Sequence, residues 1–169
     1  MDTTQSAFHS SEVYMLKKTI KKFIGQLPEA EAHCDGPCGV YDPASARIAA
    51  EAVRSMTKKI SAMTPPDTND AVAWANYSNT MSRYIAIKEE EAHKAKEQIL
   101  VLWTDFFKPQ HLEAHPDLHT KIWNATKLCS ACKVNVSNEN AQALMDAIED
   151  IHTIFWGIKG RDITWYTAS

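Results

Sequence analysis

This sequence has no long apolar runs, no excess of basic residues and little glycine. No uninterrupted apolar segment approaches the roughly 18 residues of a membrane-spanning helix, so we expect no transmembrane segment. The formal net charge is -3 at pH 7, which argues against nucleic acid or an anionic membrane as the main partner. Only 5 glycines and 7 prolines occur in 169 residues, and alternation of apolar with polar residues is rare. These shortages favour a helical protein.

Cysteine is also sparse, with four residues in two close pairs, Cys34/Cys38 and Cys129/Cys132. This number is too small for a secreted disulfide scaffold in a chain of 44% hydrophobic content. Close pairs are instead typical of metal ligands or free thiols in a reducing compartment, so we expect a cytoplasmic protein. Cys129 and Cys132 fall within a predicted helix, whereas a thioredoxin-type motif opens a helix after a strand. We therefore interpret this second pair as buried thiols.

Four amphipathic helices are predicted, over residues 43–63, 70–103, 117–133 and 137–157, because apolar residues recur there at intervals of three and four. Short links between long amphipathic helices predict an all-α fold, an antiparallel up-down four-helix bundle within residues 33–169. The expected buried faces include Ile48, Ala52, Val53, Met56, Ile60 and Met63 in the first helix, Val72 to Leu102 at the same spacing in the second, and Leu144, Met145, Ile148, Ile151, His152 and Phe155 in the fourth.

The segment before the bundle has a different character, and we predict that residues 1–32 form a removable leader. Residues 13–24 are amphipathic and rich in lysine, and they lack the continuous apolar core of a secretory signal. Small residues, Ala30 and Ala32, stand three and one positions before His33, which favours cleavage there. An organelle transit peptide and a retained amphipathic arm are the alternatives, so import into an organelle stays open.

The chemistry of the chain is concentrated in the stretch HCDGPCGVYDP that follows the leader. Cleavage before His33 would expose an α-amine, which can close a five-membered chelate ring on a metal ion together with the Cys34 amide nitrogen. The Cys34 sulfur closes a second ring, and the short turn of residues 35–37 returns Cys38 as a second thiolate. Two nitrogens and two sulfurs then lie naturally in one plane.

A planar field of nitrogen and sulfur donors suits Ni(II) or Cu(II), whereas Zn(II) prefers a tetrahedron with four side-chain ligands. The imidazole of His33 can approach such a metal only from above or below the plane. A ligand that binds in one oxidation state and leaves in the other supports a one-electron cycle. The residues alone therefore predict a redox-active nickel or copper site; a zinc knuckle or a plain surface loop is the alternative.

HCDGPCGVYDPASARIAAEAV resembles the nickel hook and first helix of the nickel superoxide dismutase family. LWTDFFKP at 102–109, PDLH at 116–119 and IFW at 154–156 also resemble that family, so the similarity runs from His33 to the C-terminus. The resemblance implies one nickel ion per subunit, held by His33, Cys34 and Cys38, and conversion of superoxide to dioxygen and hydrogen peroxide through Ni(II)/Ni(III) cycling. It further implies a homohexamer in which a neighbouring subunit helps to order each hook. A maturation protease and a nickel chaperone are the other expected partners.

The resemblance also assigns roles around the hook, which spans residues 33–41. It implies that Tyr41 is a catalytic residue together with His33, because Tyr41 borders the access channel and positions the incoming anion or the peroxide. It implies that Asp35 fixes the hook through hydrogen bonds and that Pro37 sets its turn through a cis peptide bond. An ordinary turn aspartate and a tyrosine packed over the first helix are the simpler interpretations.

Two departures from the family pattern affect these expectations. The family often has a second tyrosine where this chain has Phe106, which leaves Tyr41 as the one phenol assigned to the channel. The glutamate and arginine that orient the axial imidazole in some members align with Ala49 and Glu91. We predict that Glu91 accepts a hydrogen bond from His33; the alternative is that its run of three glutamates is a solvated helix face.

Other clusters have weaker claims to a site. Glu90/His93 and Glu149/His152 have the Glu-x-x-His spacing of di-iron bundles, but the third helix offers no glutamate to complete the set with Glu51. We expect His152 to be a satisfied core histidine, and the histidines at 111, 115 and 119 to have a structural role in their connection. A nickel or copper carrier without turnover, and a helical interaction protein with incidental cysteines, are the rival functions.

Overall fold

The computed structural model describes residues 39–168, and this part of the chain is helical, with no strand. The predicted all-α class is confirmed. The helices are α1 (Ala44–Ser61), α2 (Ala71–Val101), α3 (Pro109–Ala114), α4 (Leu118–Val134) and α5 (Asn138–Ile158). A π-helical turn, Leu102–Phe106, continues α2. Over the described range, no helix has the length and apolar character needed to cross a bilayer. The predicted leader lies outside the described residues.

The four long helices contact each other in a closed ring. Helix α1 packs against α2 and α5, and helix α4 packs against the same two helices. This is the neighbour pattern of a four-helix bundle. Only three residues link α4 to α5, so the end of one helix lies close to the start of the next, as antiparallel packing requires.

Local signals explain where the long helices begin. Asp70 accepts a hydrogen bond from the Val72 amide at 2.9 Å, and Ser137 accepts one from the Asn140 amide at 3.1 Å. Both are side-chain caps of the first turn. The predicted boundaries of the four long helices therefore lie within a few residues of the observed ones, whereas α3 and the π-helical turn were not predicted.

The predicted buried faces are confirmed in α5 and partly wrong elsewhere. All six expected core residues of α5 are buried. In α1, however, Ile48 is 58% exposed, and small residues such as Ala46 and Ala50 face the core instead. In α2, the buried residues are found only from Lys88 onward. With 31 residues against 18 in α1, α2 is roughly 20 Å longer, and its neighbour cannot cover it along its whole length.

One core position of α2 is occupied by a charged side chain, Lys88, which is 2% exposed. Its ammonium donates hydrogen bonds to the carbonyl oxygens of Cys132, Lys133 at 2.9 Å and Asn135 at 3.3 Å. The last carbonyls of a helix have no partner within that helix. Lys88 therefore binds the C-terminal end of α4 to α2, and burial lowers the pKa of its ammonium.

Candidate metal centre

The predicted nickel ligands, His33, Cys34 and Cys38, lie outside the described residues, as do Asp35 and Pro37. Between residues 39 and 168, no group of three or more His, Cys, Asp or Glu side chains is placed to hold a metal ion. The chemistry of the hook donors, an imidazole and two thiols beside backbone nitrogens, fits nickel. The described part of the chain thus offers no competing site.

The chain enters the described structure through a tight connection to α1. Gly39 has a φ of 68°, a left-handed conformation that glycine adopts without strain. The carboxylate of Asp42 accepts a hydrogen bond from the Ala44 amide at 2.8 Å. The carboxylate of Asp42 thus bonds the first turn, while Pro43 occupies the cap position and the helix, predicted from residue 43, begins at Ala44. Since Cys38 precedes Gly39 directly, this predicted ligand lies six residues before the start of α1 in the chain.

A pocket of about 420 Å³ opens at this connection. Tyr41 is half-buried and lies on its wall. The residues that line it besides Tyr41 are Gly39, Asp105, Phe106, Lys108, Gln110, His111, Ile158 and Lys159. Because Gly39 follows Cys38 in the chain, the pocket begins one residue from a predicted nickel ligand.

Phe106 forms the floor of this pocket and belongs to an aromatic cluster. Its ring centroid lies 5.9 Å from that of Tyr41 and 4.3 Å from that of Phe155. Phe107 packs edge-on against it at 5.1 Å. The side chain at 106 is 8% exposed, so the position that often carries a tyrosine hydroxyl in the resembling family is here an apolar surface.

Two polar side chains rest on Phe106. The imidazole of His111 stacks on its ring, with centroids 5.7 Å apart and planes inclined by 27°. The ammonium of Lys159 lies 5.3 Å from the same centroid. We expected His111 to have a structural role in the connection, and its Nδ1 does accept a hydrogen bond from the Lys108 N–H at 3.1 Å. The same residue also lines the pocket. Sequence reasoning missed both residues, because nothing in their spacing links positions 106, 111 and 159.

Glu91, the predicted acceptor for His33, is half-buried on α2. Its carboxylate contacts the ammonium of Lys94 at 2.9 Å, and Glu90 contacts the same ammonium at 2.9 Å. This contact is typical of a solvated helix face. The hydrogen bond from His33 to Glu91 stays a prediction, since His33 lies outside the described residues.

The residues of the di-iron alternative are engaged in other contacts. Glu51 is buried and pairs with Arg47 at 3.1 Å, and His93 lies 3.2 Å from Glu97 on the surface. His152 is buried, and its Nε2 lies 2.8 Å from the carbonyl oxygen of Ile163. The prediction that His152 is a satisfied core histidine is confirmed.

The second cysteine pair is buried in α4, and both thiols are free. Burial raises the pKa of Cys129 to about 12, and burial also raises the pKa of Cys132. Both groups therefore remain protonated at neutral pH. The interpretation of this pair as buried thiols is confirmed.

Comparison with known proteins decides the family. The model of the nickel-containing superoxide dismutase family matches residues 28–159. The chain belongs to this family. A superoxide dismutase [Ni] from Streptomyces seoulensis is 42% identical over 140 residues, which are 83% of this chain and 98% of the relative. The family assignment makes nickel the cofactor and superoxide dismutation the activity.

Solved structures of nickel-containing superoxide dismutase share the fold. One has nickel ligation corresponding to the oxidized state, and another has the ligation found after partial X-ray-induced reduction. Each is 41% identical to this chain, covers 76% of it and 100% of its own length, and superposes with a TM-score of 0.64. The resemblance seen in the sequence is thus confirmed at the level of family and fold.

Proposed function

We propose that the chain converts superoxide to dioxygen and hydrogen peroxide at a hook that becomes competent when the chain is cut before His33. His33, Cys34 and Cys38 would hold the nickel ion. When bound, nickel supplies one-electron transfer by cycling between Ni(II) and Ni(III). Two superoxide anions and two protons yield one dioxygen and one hydrogen peroxide, so charge and atoms balance. The match to the family over residues 28–159, which includes all three donors, carries the proposal.

The described residues support a substrate path beside the hook. Tyr41 lines a pocket that begins at Gly39, and its phenol can donate a hydrogen bond to an anion there. We assign to Tyr41 the positioning of superoxide or peroxide. To Asp35 and Pro37 we assign the shape of the hook, and to Glu91 the orientation of the His33 imidazole.

The test is the intact mass, metal content and superoxide decay rate of protein purified from its own cells. We expect a chain that begins at His33, one nickel ion per subunit and rapid decay of superoxide. Cys34→Ser and Cys38→Ser should each abolish both nickel binding and activity, whereas the buried Cys129→Ala serves as a control that keeps them. Active protein that still carries residues 1–32 would contradict the proposal. Nickel-loaded protein without superoxide decay would instead indicate a metal carrier.

We also propose that the protein works as a cytoplasmic homohexamer, after processing by a maturation protease and loading by a nickel chaperone. Large apolar side chains remain exposed on α1 and α2, including Ile48 at 58%, Val72 at 66% and Trp74 at 42%. Apolar surface of this kind is typical of a subunit interface. Light scattering should give six times the mass of the processed subunit; a monomer would exclude the assembly. Localisation of a tagged full-length chain would reveal organelle import.

A further inference from the structure

We propose that His111 binds the substrate anion in the pocket beside Tyr41 by donating a hydrogen bond from Nε2, while Lys159 supplies positive charge. The inference rests on the proposed function, since it adds a positioning residue for superoxide. The side chains concerned are far from the hook in sequence, and the fold brings them beside Gly39 and Tyr41, at the end of the hook.

The hydrogen bonds of α3 fix the tautomer of His111. The backbone N–H of Lys108 donates to His111 Nδ1 at 3.1 Å. A ring nitrogen that accepts a hydrogen bond carries no proton, so a neutral imidazole holds its proton on Nε2. Within the described part of the chain, this Nε2–H has no hydrogen-bond partner. His111 thus presents an N–H donor at Nε2 whose position is set by the backbone contact at Nδ1.

Stacking fixes the plane of the same ring. The His111 imidazole lies on Phe106 at an inclination of 27°, and Phe106 is itself packed against Phe155. The His111 amide also donates to the Lys108 carbonyl at 2.8 Å, which closes the first turn of α3. A donor held in this way loses little conformational entropy when an anion binds.

The charge of the pocket favours an anion. The residues that line it include two lysines, Lys159 and Lys108, against one acidic residue, Asp105. The Lys159 ammonium lies 5.3 Å from the Phe106 centroid and 5.8 Å from that of Phe155, so it rests on the aromatic floor. Positive charge in a cleft with apolar walls raises the local concentration of a small anion.

The absence of a hydroxyl at Phe106 explains why His111 matters in this chain. The half-buried donors that line the pocket are then Tyr41 and His111, while Gln110 is exposed. The rings of Tyr41 and His111 lie with centroids 5.9 and 5.7 Å from that of Phe106, and both residues line the pocket, so both can donate to one small anion there.

The experiment compares three variants of the mature, nickel-loaded protein. His111→Phe keeps a stackable ring and removes the donor, His111→Gln restores an N–H donor, and Lys159→Met removes the charge. Lys127→Met is the matched control, since the Lys127 ammonium also lies over an aromatic ring, Trp123 at 4.7 Å, but outside the pocket. Nickel content and melting temperature confirm that each variant is folded and loaded.

Steady-state kinetics and azide, a small monoanion, provide the readouts. We expect His111→Phe to raise the KM for superoxide and the inhibition constant of azide about tenfold, with a much smaller change in kcat. His111→Gln should recover most of this loss. Lys159→Met should flatten the decrease of kcat/KM with ionic strength, and the control should match the wild type.

A direct readout separates this inference from the proposed function. The ring nitrogens of His111 in the nickel-loaded, reduced protein are followed by ¹⁵N NMR during an azide titration. A shift confined to Nε2 supports the inference, and it does so even if His111→Phe fails to fold. An unshifted Nε2, or an active His111→Phe with unchanged KM and azide affinity, overturns it. If the nickel-loaded wild-type protein itself did not convert superoxide, the proposed function would be overturned instead.

Discussion

The buried ammonium of Lys88 offers the sharpest test of how the bundle is held together. We consider the substitution Lys88→Met, which keeps the unbranched shape and most of the length of the side chain and removes its charge and its donors. The ammonium satisfies carbonyl oxygens at the end of α4, on Cys132, Lys133 and Asn135. The methionine can fill the same space but leaves these oxygens without their donor.

The size of the effect follows from the contacts. Hydrogen bonds to a charged group contribute about 1.5 to 3 kcal/mol each. The bonds to Cys132 and Lys133 count in full, and the bond to Asn135, at 3.3 Å, counts little. Burial of the ammonium costs free energy and lowers its pKa. The substitution removes this cost, which offsets part of the loss. We expect the free energy of unfolding to fall by about 3 kcal/mol and the melting temperature by roughly 6 to 12 °C.

Thermal and urea unfolding followed by circular dichroism measure this change. Lys94→Met, on the same helix, is the matched control, because Lys94 is exposed and contacts only Glu90 and Glu91 in the described structure. Its unfolding midpoint should stay at the wild-type value. If Lys88→Met proved as stable as the control, the bonds to α4 would contribute no more than the burial of the ammonium costs, and the reasoning would be refuted.

Two further predictions concern other buried groups. Glu51→Ala leaves the 4% exposed Arg47 without its main partner and should lower the free energy of unfolding by about 3 kcal/mol in urea titrations. The double replacement of Glu51 and Arg47 by methionine should recover most of this, and an equally unstable double variant would contradict the account. Since burial raises the pKa of Cys129 to about 12, iodoacetamide should leave Cys129 and Cys132 unmodified at pH 8 in the folded protein and alkylate both in urea. Modification of Cys129 without unfolding would show that the thiol is accessible.

The long helices were predictable because apolar residues recur along them at helical spacing, and two of them, α2 and α5, begin at a side-chain cap. The stripe of α5 from Leu144 to Phe155 is wholly buried, and Asp70 and Ser137 mark the starts of their helices through side-chain hydrogen bonds. In contrast, α3 is six residues long and is too short to show a period. The π-helical turn at Leu102–Phe106 has no sequence pattern that the rules for α-helices could detect.

The burial errors arise from tertiary packing. A periodic stripe identifies an apolar face, but the neighbouring helices decide how much of it is covered. Ile48 was placed on the buried face of α1, yet the alanines at 46 and 50 permit a closer approach and face the core. Val72 belongs to a genuine stripe of α2, but it lies 16 residues before the first buried position, Lys88.

The candidate site also has one part that could be predicted from the sequence and one part that could not. The hook could be proposed from sequence because its candidate donors are close together in the chain, so that covalent connectivity alone could bring them to one ion. The pocket beside it could not be, because it combines residues from the segment before α1, the π-helical turn, α3 and the end of α5. Tyr41 could be assigned by resemblance, whereas Lys159 is brought to Phe106 only by the fold.

The burial of two of the four cysteines has a consequence for the lifetime of the protein. An enzyme that releases hydrogen peroxide is exposed to an oxidant of its own making, and thiolates are the sulfur species that peroxide attacks. Cys129 and Cys132, at 0% and 2% exposure, are shielded from it by α4 and its neighbours and by their own protons. If Cys34 and Cys38 hold the nickel as proposed, oxidation of cysteine would fall on the metal ligands and spare the buried thiols of the scaffold.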